Sequence, residues 1–171
     1  MGRQREPNPP ALQARTVFSP HSVSSAGPVT GMDQISFMTK RVHDSASLPA
    51  LLDAGFGAFE VIRAAARACE DRAPDLFAAF MLAAGSAAEG RNALLAATSL
   101  PRAADRPPLA EPMPPSHDVA QIADEITTLA RLMYRRLLHA ATIAAADDRA
   151  ACQRAAQAAA EIDRLLSPDP R

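Results

Sequence analysis

An all-α fold is predicted: two antiparallel helical hairpins forming a four-helix bundle, with a disordered N-terminal arm and a Pro-rich linker. Three observations carry it. Alanine supplies 39 of the 171 residues, while Trp is absent, Tyr occurs once and Phe six times. That leaves few of the branched and aromatic side chains that strands need. Apolar residues then recur at steps of three and four over long stretches, the period of a helix with one buried face. Finally, five of the 15 prolines fall within residues 1–46 and six within 99–116. Proline is excluded from helix interiors, so these two regions delimit the helical parts.

Residues 1–46 are rich in Pro, Ser, Gly and Arg, with apolar residues scattered singly. Such a segment buries too little surface to offset its ordering entropy, and a disordered docking arm is expected. The short run Ile35-Ser36-Phe37-Met38 fits a strand or an anchoring peptide, with a mobile tail the leading reading.

The first hairpin is assigned to residues 47–98. Ser47 is placed as the N-cap and Pro49 in the first turn of its first helix, both favourable positions. Leu48, Leu52, Phe59, Ile62 and Ala66 form one stripe at 100° per residue, with Phe56 and Cys69 at its margins. Asp71-Arg72-Ala73-Pro74 makes the turn, and the second stripe is read as Phe77, Phe80, Met81, Ala84, Ala88 and Leu95. Residues 99–116 are the linker.

The second hairpin spans 117–167. Val119, Ile122, Ile126, Leu129, Met133 and Ala140 define its first helix, which opens at Ser116 or Asp118. Asp147-Asp148 interrupts the pattern and offers the next N-cap. Cys152, Ala155, Ala159, Ile162 and Leu166 follow as an alanine seam that admits a close neighbour.

Several function classes are set aside at this level. Eighteen basic against nineteen acidic residues give a net charge of −1, so no global field draws the chain to nucleic acid or an anionic membrane. The longest strongly apolar uncharged stretch, Leu76 to Ala88, is shorter than the roughly 20 residues of a membrane helix. A cytoplasmic protein is expected. Cys69 and Cys152 have no metal-ligand spacing, and no Glu-x-x-His of a carboxylate-bridged di-metal bundle occurs. Neither a metal nor a cofactor is expected. No phosphate-cradling glycine loop or nucleophile elbow is present.

What stands out is polarity on the apolar stripes. Arg63 and Glu70, Arg91 and Asn92, and Arg136 lie near the stripe centres of three helices, as a polar pocket or partner surface would require. Folding at residues 71–74 brings Arg91 level with Asp53, a candidate ion pair. Tyr134-Arg135-Arg136-Leu137-Leu138-His139 resembles the small helical ribonucleases that carry an Arg and a His on one helix face, although the two stand closer in sequence here. The resemblance implies a phosphate-directed enzyme in which Arg135 holds the anion and His139 moves a proton. The leading expectation is instead a non-enzymatic helical interaction module, a homodimer or the partner of another protein. A ligand sensor with a pocket between the Phe-rich helices is the third class.

Overall fold

The computed structural model describes residues 31–102 and 118–167. Within them five helices pack together: α1 (Gly31–Asp44), α2 (Leu48–Glu70), α3 (Phe77–Leu95), α4 (Val119–Ile143) and α5 (Ala146–Leu166). No strand occurs among the described residues. A single 3₁₀ turn, Pro74–Leu76, leads into α3. Residues 1–30 of the expected arm, 103–116 of the expected linker, residue 117 of the expected second hairpin, and residues 168–171 lie outside the described residues.

Helix α2 packs on α3, α3 on α5 and α5 on α4, while α1 fills the side between α4 and α2. Five helices rather than four therefore make the packed unit. The correction lies in residues 31–44, which the expected arm included. Ile35, Met38 and Val42 repeat at steps of three and four and are fully buried. A 14-residue helix is marginal in isolation, so this one depends on the surfaces of α2 and α4 that receive its stripe. Ser45 Oγ closes its end by donating to the Arg41 carbonyl (2.7 Å), and Arg41 pairs with Asp53 of α2 at 2.6 Å.

The start of α2 follows the expected chemistry: Ser47 Oγ accepts from Ala50 N, with Pro49 in the first turn. Its Leu52, Phe59, Ile62, Ala66 and Cys69 are fully buried, as the stripe requires. Leu51, Ala54 and Ala58 are buried as well, because α1, α3 and α4 surround it. Asp118 caps α4 by accepting from Ala120 N. On α5, Cys152, Ala155, Ala159, Ile162 and Leu166 are all buried, and the small side chains let α5 settle between α3 and α4.

Helix α3 departs from its predicted register. Its inner face is Phe80, Ala83, Ala84, Ala87, Gly90 and Leu94. Phe77, Met81 and Leu95, expected inside, are 44%, 47% and 53% exposed. Apolar residues occur on every side of this helix, so periodicity alone does not select a face. Close approach selects it: a Cβ at Gly90 would lie 2.3 Å from Phe59 Cζ, so only glycine admits the ring.

Candidate functional site

The polar residues singled out in the sequence divide into groups. Arg63, Arg91 and Asn92 meet around Glu60, a residue the stripe analysis passed over. Arg91 donates to Glu60 Oε1 at 2.7 Å and Arg63 to Oε2 at 2.9 Å. Arg91 also donates through Nε and Nη2 to Asn92 Oδ1, at 3.2 and 2.9 Å. Burial pushes the Glu60 carboxyl upward, but the hydrogen bonds from Arg91 and then Arg63 outweigh it and hold the group below its ordinary value. The expected Arg91–Asp53 pair does not form. Asp53 holds Arg41, and Arg91 pairs seven residues further along α2, because the 3₁₀ turn shifts where α3 begins. The signal for Glu60 was present as an i,i+3 spacing to Arg63.

Glu70 and Arg136 stay apart from that cluster. Glu70 ends α2, whereas Arg136 reaches from α4 to the Ser45 carbonyl beyond α1. These contacts act as interhelical ties. Arg135 and His139 sit one helical turn apart on α4, and both are exposed.

A second polar centre, also missed, lies where α3 ends and α5 begins. Asp148 is 2% exposed. Its Oδ1 accepts from Thr98 Oγ1 and Ser99 N, both at 3.1 Å, and its Oδ2 accepts from Ser99 Oγ at 2.6 Å. The Ser99 hydroxyl is the main cause holding this carboxyl below its usual range, ahead of the opposing desolvation. The sequence offered Asp147-Asp148 as an N-cap, but Ala145 occupies that position. Asp148 instead fastens the chain that follows α3, a role that needs a partner 49 residues away in sequence. Burial, with Asp148 a lesser cause, pushes the Cys152 thiol up to about 11, and burial likewise raises Cys69. Both thiols are free and buried. No group of three or more His, Cys, Asp or Glu side chains among the described residues is placed to hold a metal ion. No helix among them is long and apolar enough to cross a membrane.

The space between the Phe-rich helices is filled: Phe59 and Phe80 are fully buried, with the Phe59 ring over Gly90. Open surface lies elsewhere. A cleft of 690 Å³ between α3 and α5 is lined chiefly by polar residues, among them Glu89, Asn92, Arg154, Gln157 and Glu161. Another of 520 Å³ runs between α4 and α5 past Tyr134, Leu138 and Gln153. The slim, alanine-rich α5 leaves both. Large apolar side chains gather at the entry to α3, where Leu76, Phe77, Met81 and Leu82 are 42%, 44%, 47% and 51% exposed. The chain matches no family model, and comparison with curated proteins and with solved structures finds no match.

Proposed function

We propose that this chain is a helical protein–protein interaction and assembly module rather than a catalyst. The observation that carries the reading is the cluster Leu76, Phe77, Met81 and Leu82, four large apolar side chains left about half exposed within two helical turns. Exposed apolar residues scattered singly are ordinary, whereas a contiguous patch marks an interface. The candidate polar residues support the same reading. Arg63, Arg91 and Arg136 are engaged in ties between or along helices. A protein partner, either a second copy or another chain, is the proposed ligand, with no cofactor required.

Native mass spectrometry of the chain purified from its source cell tests this. A species heavier than the 18.0 kDa chain is expected, collapsing to the single chain when Met81 and Leu82 are both changed to Asp with helicity retained. An uncomplexed chain in both samples, together with phosphate-ester hydrolysis that His139→Ala abolishes, would overturn the proposal in favour of the enzyme.

A further inference from the structure

The polar cleft between α3 and α5 holds charges that the ties between helices leave over. Elsewhere three arginines reach a carboxylate on a neighbouring helix: Arg41 pairs with Asp53, Arg91 with Glu60 and Arg131 with Asp163. Arg154 does not. It lines the cleft together with Glu89 and Glu161. Among the described residues its side chain has no ion pair or hydrogen bond, and neither has that of Glu89. Glu161 is taken by Arg164 of its own helix, at 2.9 and 2.5 Å. One cation and one carboxylate are therefore left on opposite walls of the cleft.

Helix geometry sets them apart. Asp148 near the start of α5 accepts from Ser99 just beyond α3, so α5 runs back along α3. Counting inward from that junction brings Arg154 level with Ala93 and Asn92, and sets Glu89 about one helical turn, roughly 5 Å, further along. Asn92 is oriented by its neighbours. Arg91 donates to Asn92 Oδ1 through Nε and Nη2, at 3.2 and 2.9 Å, while its Nη1 donates to Glu60 Oε1 at 2.7 Å. Two N–H donors on Oδ1 fix which way the amide faces, and Nδ2 remains to donate. The Glu60–Arg91–Asn92 chain thus supplies an oriented donor at the level of Arg154. One end of the cleft suits an anion, and Glu89 suits a cation one turn away.

We propose that the cleft binds a linear zwitterion, its carboxylate at Arg154 and Asn92 and its ammonium at Glu89. An α-amino acid carries its two charges side by side and reaches only one end. The spacing calls for an ω-amino acid, whose extended chain holds the charges more than one helical turn apart. At 690 Å³ the cleft falls within the roughly 300–1,000 Å³ of ligand sites. Arg154, Asn92 and Glu89 are exposed, so each charged contact changes affinity about fivefold, the upper range for exposed ion pairs. The cleft contains none of the apolar cluster Leu76, Phe77, Met81 and Leu82, so this proposal and the module reading fail separately.

A nuclear magnetic resonance titration of the full chain with ε-aminocaproate tests it, with caproate, hexylamine and glycine as controls. Saturable shifts at the Asn92 side-chain amide are expected, with each control binding about fivefold more weakly. Arg154→Gln and Glu89→Gln change exposed side chains and should keep the fold. Each should weaken ε-aminocaproate about fivefold; caproate should respond to the first alone and hexylamine to the second alone. No saturable binding overturns the proposal. Caproate binding as tightly as ε-aminocaproate reveals an anion site and overturns the zwitterion. Glycine binding as tightly overturns the spacing on which the ligand class rests. Binding that neither variant weakens puts the ligand outside this cleft and overturns the site.

Discussion

Removing the Asp148 carboxylate should loosen the junction of α3 and α5 more than any surface change of equal size. Asp148→Ala deletes one acceptor and leaves three donors facing its place: Ser99 N, Ser99 Oγ and Thr98 Oγ1. Hydrogen bonds to a charged partner contribute roughly 1.5–3 kcal/mol each. They are not additive, and Thr98 is exposed enough to regain water, so a loss of about 2–3 kcal/mol is expected. For a helical unit of this size that lowers Tm by about 10 °C. The carboxyl is held below its unfolded value, so its contribution is fully present above the ordinary carboxylate range and is lost as pH falls through the folded value. Asp148→Asn should therefore be less stable than the parent chain at neutral pH, and the gap should close on acidification. Calorimetry or thermal circular dichroism across that pH range reads both effects. A neutral-pH change within about 0.5 kcal/mol, the ordinary range for surface substitutions, would refute the assignment of Asp148 as an interhelical latch.

The two helical glycines should respond in opposite directions. Gly90→Ala drives a methyl into Phe59 and should cost about 1–3 kcal/mol by overpacking, whereas Gly85→Ala should raise the melting temperature of the single chain slightly, as helix propensity favours alanine. Ala159→Leu, at a fully buried position, should lower stability by about 1–3 kcal/mol whether or not the chain is associated, which denaturant titration at two protein concentrations checks. His139→Ala should leave melting unchanged within about 0.5 kcal/mol because the ring is exposed. Cys152, buried and raised to about 11, should react with a thiol reagent at mildly alkaline pH only after denaturant is added.

The existence of α2 to α5, and the starts of α2 and α4, were legible in the sequence because they depend on local chemistry. Ser47 and Asp118 cap the helices at which they were placed, and Pro49 sits in a first turn. The stripes of α2, α4 and α5 were readable for a related reason: each alternates clearly between apolar and polar sides, so one face alone suits burial. Helix α3 has no such contrast, and the approach of Phe59 to Gly90 decided its face. The helix at 31–44 was hidden because the apolar side chains it buries, Ile35, Met38 and Val42, have value only against α2 and α4. The ion pairs followed the same division. That Arg91 would find a carboxylate on α2 could be argued from hairpin geometry. That it finds Glu60 rather than Asp53 depends on the 3₁₀ turn and on Arg41 already holding Asp53. Asp148 belongs wholly to the tertiary level, since its donors lie on the chain beyond another helix. Caps and periodicity are set within a few residues along the chain. Faces, registers and partners depend on which surfaces arrive together, and here small residues set that choice by allowing close approach.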